Sequence, residues 1–403
     1  MFNVVSNIKV TQKPIKNKYP NRNRVINLDF MTSYSWTSRR LEMTDRGSIV
    51  FPKNLYFKDE SNSLNPLNGL NVNIGGFTKE PLLMRGDAVQ LNAGYQYESP
   101  SLVRTIQDTS LIIDGYISKV YSTTPIEIEV EDSMWLLKQL PLPTRSFSSS
   151  DTLEDILKFI CDLANKTFGT TLTFNALTKT NFGTLLVGNE TASQLLNRLK
   201  TTYGFFSYFR GTELRCGIVG YYPNEAQRIV FIMNGQDGNV CADGQDLEWQ
   251  RKDDVVLSAI AHNTITSNAG ATCVDGSLKT KKERLEVLVT IKNGEVTSNV
   301  ITKGERVPEN NEGERRTFFF PSATNTNELI TLATEKLNQY HYDGLKGKFM
   351  TFGIPFVKTG DEIDLRNPQQ PEQNGLYKVK GVEYFGSHTE GLKQMIEIDF
   401  KIK

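Results

Sequence analysis

Two short stretches decide the fold of this chain: Arg85-Gly86-Asp87-Ala88-Val89-Gln90-Leu91 and Thr359-Gly360-Asp361-Glu362-Ile363-Asp364-Leu365. In each stretch a Gly-Asp pair is followed by residues that alternate between apolar and polar. Glycine supplies the positive φ that tight turns need, aspartate accepts hydrogen bonds from nearby backbone amides, and the alternation is typical of a half-buried strand. Both stretches therefore predict a tight turn that leads into a strand.

A second pair of segments strengthens this internal repeat. Asp114-Gly115-Tyr116-Ile117 follows the first stretch, and Asn374-Gly375-Leu376-Tyr377 follows the second. We interpret each glycine as a turn residue that opens another strand. An internal repeat indicates that one structural unit occurs twice. Because the repeated element here is a turn with its strands, the sequence predicts two related β-barrels in one chain. The residues of this structural turn signature are Gly86, Asp87, Gly115, Gly360, Asp361 and Gly375.

Alternation with a period of two residues also covers other parts of both β regions. Residues 126–131 alternate isoleucine or valine with glutamate, and residues 396–403 alternate apolar with charged side chains. The alternating run 285–291 is followed by Asn293-Gly294, a dipeptide typical of a type I′ turn. These patterns predict half-buried strands and a hairpin whose returning strand covers residues 296–301.

The middle of the chain changes to a helical period. Asp151 with Glu154 predicts a capping box before a helix, and Thr191 with Gln194 predicts a second one before a helix that stops at Gly204. We therefore expect an α+β, mostly β protein, with two tube-like antiparallel β-barrel domains and an inserted small α/β domain. The predicted ranges are 1–145 for the first barrel, completed by about 214–250, 146–213 for the insert, and 251–403 for the second barrel, interrupted by a helix at about 326–341.

Composition excludes several classes of protein. Forty-six Lys and Arg residues balance forty-six Asp and Glu residues, which excludes a strongly basic nucleic-acid binder. No apolar run approaches the roughly 20 residues of a spanning helix, so no membrane span is expected. The cysteines Cys161, Cys216, Cys241 and Cys273 form no CxxC pair, which favours neither a zinc ribbon nor a disulfide framework.

Catalytic signatures are missing from the sequence. It contains no HExxH, GxSxG or P-loop motif, and its histidines, His262, His341 and His388, lie far apart. A histidine in a strand or at a helix end is more often structural than catalytic. We therefore predict that the chain is not an enzyme and has no catalytic residue, no cofactor and no metal site.

The order of these pieces resembles a known family. The resemblance rests on Gly86-Asp87 with Gly94-Tyr95, on the strand at Gly115, on the run 131–138, and on the two-helix insert before a second Gly-Asp barrel. It covers residues 24–403. The chain resembles the baseplate-hub proteins of contractile phage tails, also called late control protein D, and the hub portion of VgrG in type VI secretion.

This resemblance implies a structural role. Such hubs are homotrimers whose two barrels per subunit form a pseudo-sixfold ring, which joins a hexameric tail tube to a trimeric spike. The implied partners are the tail tube protein, the spike protein and other baseplate proteins, with DNA passing through the lumen without specific binding. The implied location is the virion tail or baseplate, assembled in the host cytoplasm, with the insert outside the ring.

Two alternatives belong to the same machine. A cell-wall hydrolase would need paired carboxylates, but the pairs Glu131-Asp132 and Asp253-Asp254 are adjacent in sequence and point to opposite faces of a strand. A carbohydrate-binding module would use Trp36, Tyr95 and Tyr97 as stacking platforms, although such rings more often lie in cores or subunit contacts.

Overall fold

The computed structural model of the chain describes most of the sequence. The described residues are 2–15, 17–20, 22–52, 56–58, 64–66, 71–74, 78–99, 104–121, 125–148, 150–178, 185–218, 228–234, 237–241, 246–252, 256–272, 278–302, 305, 313–320, 323 and 325–402. Within these ranges most residues form strands and far fewer form helices, so the predicted α+β, mostly β class is confirmed. None of the helices found there is long and apolar enough to cross a membrane.

The first third of the chain is built from strands. In order they are β1 (Phe2–Thr11), β2 (Val25–Leu28), β3 (Ser33–Arg39), β4 (Arg46–Phe51), β5 (Tyr56–Lys58), β6 (Leu64–Pro66), β7 (Asn71–Ile74), β8 (Thr78–Pro81), β9 (Ala88–Ser99), β10 (Arg104–Tyr121) and β11 (Ile126–Glu131). The predicted alternation holds in β11, where the isoleucines and the valine are buried and the glutamates are half-buried. The side chains of this strand therefore divide between a core and a solvated face.

A short α/β segment follows. Its elements are α1 (Met134–Lys138), β12 (Arg145–Phe147), α2 (Leu153–Phe168), β13 (Thr173–Ala176), β14 (Leu185–Val187), α3 (Ala192–Tyr203), β15 (Phe205–Arg210) and β16 (Glu213–Ile218). The capping box of α3, Thr191 with Gln194, is the predicted one. The box of α2 is Thr152 with Asp155, one residue later than predicted, because Asp151 instead accepts a hydrogen bond from the Ser148 backbone amide at 2.6 Å.

The rest of the chain returns to strands. The strands are β17 (Arg228–Ile232), β18 (Asp246–Gln250), β19 (Leu257–Thr272), β20 (Leu278–Lys292), β21 (Glu295–Val300), β22 (Glu314–Phe319), β23 (Gly344–Phe352), β24 (Glu362–Arg366), β25 (Gly375–Ser387) and β26 (Gly391–Lys401). One helix, α4 (Thr326–Asn338), lies between β22 and β23. Asn293 and Gly294 have φ values of 51° and 80° between β20 and β21, as a type I′ hairpin requires. The predicted hairpin and the predicted helix near 326–341 are both confirmed.

Six strands in each half of the chain follow the same order across the sheet. That order is β3-β4-β11-β10-β9-β1 in the first half and β18-β23-β26-β25-β24-β17 in the second. If only these six strands of each half are numbered from 1 to 6 in chain order, both orders read 2-3-6-5-4-1. We call these units the first and second β modules. They differ in one pairing, since β1 and β9 are antiparallel whereas β17 and β24 are parallel.

Local irregularities also repeat at equivalent positions. β10 has a bulge between Ile117 and Lys119 opposite β11, and β25 has one between Val379 and Gly381 opposite β26. Bulges bend a strand and change its twist, so their recurrence indicates that the two modules share more than strand order.

The two modules form one continuous sheet. β3 of the first module pairs antiparallel with β25 of the second, and residues from both modules belong to one hydrophobic cluster. Among its largest fully buried side chains are Phe51, Phe231, Phe349 and Tyr377. The modules therefore share a core.

A second hydrophobic cluster lies under the α/β segment. It joins α2 and α3 to the three-stranded sheet β13-β16-β15, and to α4 with the four-stranded sheet β21-β20-β19-β22. The strands β19 and β20 and the helix α4 thus pack with the α/β segment, and the predicted interruption of the second β region includes a sheet as well as a helix.

The pairing of residues 214–250 differs from the sequence expectation, which assigned them to the first β region. β16 belongs to the sheet of the α/β segment, while β17 pairs with β24 and β18 pairs with β23 of the second module. Alternation identifies a strand but carries no information about its distant partner, which explains the error.

Gly47 in β4 and Gly347 in β23 occupy equivalent crowded positions. A Cβ atom on Gly47 would lie 1.9 Å from the Ser35 carbonyl oxygen, and one on Gly347 would lie 1.9 Å from the Asp246 carbonyl oxygen. These are distances at which the backbone must move. Each module therefore needs a glycine where its second and third strands meet.

We predict that Gly47→Ala lowers the free energy of unfolding by about 1–3 kcal/mol or more, through overpacking against the β3 backbone. The measurement is a thermal or urea melt of the purified chain. Gly188→Ala is the matched control, since its Cβ would meet nothing closer than 3.6 Å. Equal melting of the two variants would contradict the close approach of β3 and β4.

Candidate functional site

The first Gly-Asp turn is held against the fifth strand of its module by backbone hydrogen bonds. The Gly86 amide donates to the Ile117 carbonyl at 2.8 Å, and the Ile117 amide donates to the Asp87 carbonyl at 2.9 Å. The Asp87 carboxylate accepts the Met84 amide at 2.8 Å and so closes the turn. Gly86 has a φ of 93°, which side-chain-bearing residues rarely adopt.

The second turn repeats this pattern bond for bond. The Gly360 amide donates to the Val379 carbonyl at 2.9 Å, and the Val379 amide donates to the Asp361 carbonyl at 3.0 Å. The Asp361 carboxylate accepts the Lys358 amide at 2.7 Å, and Gly360 has a φ of 88°. Ile117 and Val379 are therefore equivalent residues, and each turn fixes the register of the strands beside it.

A buried arginine satisfies the first aspartate. The Arg22 guanidinium and the Asp87 carboxylate form a bidentate ion pair, in which one N···O distance is 2.5 Å and both side chains are at most 1% exposed. The guanidinium also donates to the backbone carbonyls of Lys13, Pro81 and Leu82. A buried charge is tolerated only when it is paired and hydrogen-bonded, and both conditions are met here for the Arg22 guanidinium and the Asp87 carboxylate.

The second aspartate takes its arginine from the α/β segment. Arg210, the last residue of β15, donates to the Asp361 carboxylate at 2.6 Å and to the Thr359 carbonyl at 2.8 Å. The two side chains are 21% and 10% exposed, so this pair is less buried than the first. The Arg210–Asp361 ion pair therefore connects the α/β segment to the turn of the second module.

The seam where β3 meets β25 lies beside the second turn. The Thr359 hydroxyl donates to the Ser38 carbonyl at 3.0 Å, and the Arg40 amide donates to the Lys380 carbonyl at 3.1 Å. On the face of the sheet away from the shared core, Arg39 of β3 forms an ion pair with Glu383 of β25. Backbone and charged groups together hold the modules side by side.

Two buried carboxyl groups lie where the modules and the α/β segment meet. Asp45 and Asp132 line a cavity of about 80 Å³, together with Arg210 of β15 and Tyr384 of β25. Burial raises the pKa of Asp45 to about 7, and burial together with the Asp45 charge raises the pKa of Asp132 well above its usual range. The two groups therefore favour protonated forms in the folded chain.

Other candidate side chains from the sequence are scattered. The His262 ring packs at a tilted angle against Phe319, and His388 stacks on Phe30. His341 is buried just beyond the end of α4. Within the described ranges, no group of three or more His, Cys, Asp and Glu side chains is placed to hold a metal ion.

The proposed stacking aromatics do not form one exposed platform. Trp36 is only 5% exposed and lies in the core shared by the modules. The Tyr95 hydroxyl donates to the Leu392 carbonyl at 3.0 Å and accepts the Leu392 amide at 2.9 Å, which fixes it against the second module. Of the cysteines, Cys161 and Cys216 are buried free thiols, and Cys273 lies outside the described residues.

Of the predicted turn residues, Gly86, Asp87, Gly360 and Asp361 occupy equivalent places. Gly115 and Gly375 do not. Gly115 lies within β10 and pairs opposite Val89, whereas Gly375 begins β25 and pairs opposite Leu365. Gly115 is thus not a turn residue that opens a strand. Its Cβ would lie 2.1 Å from the Glu131 carbonyl oxygen, so close approach of β11 accounts for this glycine.

Sequence reasoning missed the arginines that bind the turns and the buried Asp45–Asp132 pair. In the sequence, Arg22 is one of several basic residues between Lys13 and Arg24, and Arg210 stands next to Gly211; neither setting indicates an aspartate partner. The pairs span 65 and 151 residues in sequence, so no local pattern relates their members.

Comparison with known proteins finds no matching protein-family model and no matching curated protein. Solved structures do match. A tail protein from Neisseria meningitidis MC58 has a TM-score of 0.54 and 11% identity, covering 98% of this chain and 96% of that one. The 43 kDa tail protein of prophage MuSo2 from Shewanella oneidensis has a TM-score of 0.49 and 12% identity, covering 98% and 99%.

The match to the Neisseria structure identifies the fold. The chain has, over nearly its whole length, the fold of the Neisseria tail protein. The resemblance to the tail-hub family that the sequence indicates is confirmed at the level of the fold.

We predict that Asp87→Asn destabilises the chain by about 3–5 kcal/mol, because it leaves the Arg22 guanidinium buried without its counter-charge. Asp361→Asn should cost less, since the Arg210 pair is more exposed. Urea titrations measure both. The control is Asp364→Asn, whose exposed pair with Arg366 should change stability by less than about 1 kcal/mol. A loss in Asp87→Asn no larger than in the control would contradict the buried pair.

The Asp45–Asp132 pair predicts a pH dependence. Between about pH 4 and pH 7 the unfolded Asp45 has lost its proton while the folded one keeps it, so the free energy of unfolding falls as pH rises through this window. Asp45→Asn should therefore flatten the decline in urea midpoint between pH 5 and pH 8. If this variant and wild type declined equally, while Asp364→Asn matched wild type, the raised pKa would be refuted.

Proposed function

We propose that this protein is a structural hub of a phage tail or a related contractile injection system. The observation that supports this most strongly is the pair of β modules with the same strand order, the same bulge and the same hydrogen-bonded turn. The Neisseria structure with the same fold is named as a tail protein.

The duplicated module explains why one chain suits a junction between different symmetries. Three copies of the chain supply six similar modules, which form a ring with approximate sixfold symmetry. The same ring is strictly threefold, because the modules alternate between first and second. In the proposed assembly the ring joins a hexameric tail tube on one side to a trimeric spike on the other.

The remaining assignments follow from this role. The proposed partners are the tail tube protein, the spike protein and other baseplate proteins, in the virion tail after assembly in the host cytoplasm. DNA passes through the lumen without specific binding, a role that suits a chain with no net charge. The α/β segment, held by Arg210, lies outside the ring.

We predict that the purified chain forms trimers. Mass photometry across nanomolar to micromolar concentrations should show a species at three times the mass of the chain, and negative-stain class averages should show rings with six similar lobes. A strictly monomeric particle at the highest concentration in both measurements would refute the hub assignment. Clearing of peptidoglycan in a zymogram, abolished by one carboxylate substitution, would favour the hydrolase instead.

A further inference from the structure

The seam inside the chain uses one strand edge from each module, and among the described strands the two equivalent edges have no pairing partner. Within the chain, β3 is the second strand of its module and β25 is the fifth strand of the other. The equivalent strands are β18 and β10. No described strand pairs with the outer edge of β18, or with β10 at Lys119–Tyr121 on the side away from β11.

We infer that β18 of one copy of this chain pairs antiparallel with the open edge of β10 in a second copy and so repeats the β3–β25 seam between chains. The inference rests on the proposed trimeric ring and specifies how its subunits meet. The contact is head to tail, and such heterologous contacts close into a ring when the rotation between copies allows it.

Equivalent residues follow from the repeated geometry. Lys119 follows the bulge of β10 as Gly381 follows that of β25. Gly347 is the counterpart of Gly47, and the strand residue opposite it is Leu247, as Trp36 is opposite Gly47. Counting from these anchors, the seam pair Arg39–Gly381 corresponds to Gln250 opposite Lys119. Likewise, Thr37–Glu383 corresponds to Glu248 opposite Tyr121.

Charges on the two open edges complement each other. Lys119 is 64% exposed although it pairs with Glu129 at 2.9 Å, and Glu248 is exposed. In the inferred seam Lys119 and Glu248 are diagonal neighbours on the face of the sheet away from the core. Side chains in this relation lie within reach of one another when they are long. The seam inside the chain carries the same kind of ion pair, between Arg39 and Glu383, on the opposite diagonal.

The residue after each second strand supports the same docking. Arg40 follows β3, donates its amide to Lys380, and places its guanidinium 3.8 Å from the Asp399 carboxylate. Its counterpart after β18 is Arg251, which is exposed in the single chain. The counterpart of Asp399 is Glu131 at the end of β11, so a second copy offers Arg251 a carboxylate at the equivalent place.

The surface beside the open edge of β10 has room for the incoming strand. A groove of about 620 Å³ is lined by Lys119, Glu129 and Glu131, among others. The equivalent groove of the second module, about 490 Å³, is lined by Lys380, Glu397 and Asp399, and there Arg40 and Leu41 form part of the wall. The first groove has no counterpart of that segment among the described residues.

Cysteine cross-linking tests the pairing directly. Residues directly opposite in an antiparallel pair have Cα atoms about 4.5–5.5 Å apart, within reach of a disulfide. Oxidation of the Lys119→Cys/Gln250→Cys double variant should give covalent dimers and trimers on a non-reducing gel. Each single variant should give neither, and Lys158→Cys/Gln250→Cys is the control, because Lys158 lies on the exposed face of α2.

A charge exchange provides a second test that does not depend on oxidation. Lys119→Glu and Glu248→Lys should each raise the concentration at half-assembly about tenfold, because three seams per ring lose an ion pair and gain a repulsion. The double variant should recover most of the assembly that each single variant loses; the part not recovered reflects the pair with Glu129 within the chain, which Lys119→Glu removes. Lys158→Glu, an equal change of charge away from the seam, should leave assembly unchanged.

The outcomes separate this inference from the proposed function. Trimers that form the predicted cross-link and show the charge rescue support both. Trimers without the cross-link, or without rescue in the double variant, overturn the inferred seam and leave the hub assignment intact. A chain that stays monomeric in every variant, wild type included, overturns the ring and the seam together.

Discussion

The hydrogen-bonded Gly-Asp turn is the constraint on which each β module depends. Its backbone binds the neighbouring fifth strand at Ile117 or Val379, which fixes how the fourth and fifth strands align. Since the side-chain period of a strand is two residues, a shift of one residue would turn the buried face outward. The turn also ends the pairing of these strands, so the fifth strand continues past it with an open edge. That edge is where β3 joins the second module.

Buried charge makes the turns specific as well as tight. A carboxylate that accepts backbone amides and binds an arginine at the same time can lose neither partner without leaving a buried charge or donor unsatisfied. The first turn is paired with Arg22, which lies between β1 and β2 in the same half of the chain, whereas the second is paired with Arg210 of the α/β segment. This difference gives the segment an ion pair with the turn of the second module, in addition to its contacts with the first, such as Arg40 over the Phe206 ring. It also brings Arg210 to the cavity that holds Asp45 and Asp132, where three parts of the chain meet.

The modules are similar without being interchangeable, which is what a junction between sixfold and threefold partners requires. Strand order, bulge, turn and crowded glycine are common to both. The direction of one edge pairing and the source of the arginine differ. In the proposed ring the shared features give every module the same overall shape, and the differences distinguish its two faces and its alternating seams. One seam is closed within the chain, and the charged edges of β10 and β18 remain for its counterpart between chains.

The sequence by itself determined the local structure: the alternating strands, the hairpin at Asn293-Gly294, the capping box of α3, the start of α2 to within one residue, and the Gly-Asp turns. Each of these depends on neighbouring residues, through side-chain period, capping hydrogen bonds or the φ that glycine permits. Only the tertiary structure shows which strands pair, and it places β17 and β18 in the second module, where the sequence had assigned them to the first. It also decided which arginine meets which aspartate and where Gly115 lies. These features depend on contacts between residues far apart in the chain, and short-range patterns contain no record of a distant partner.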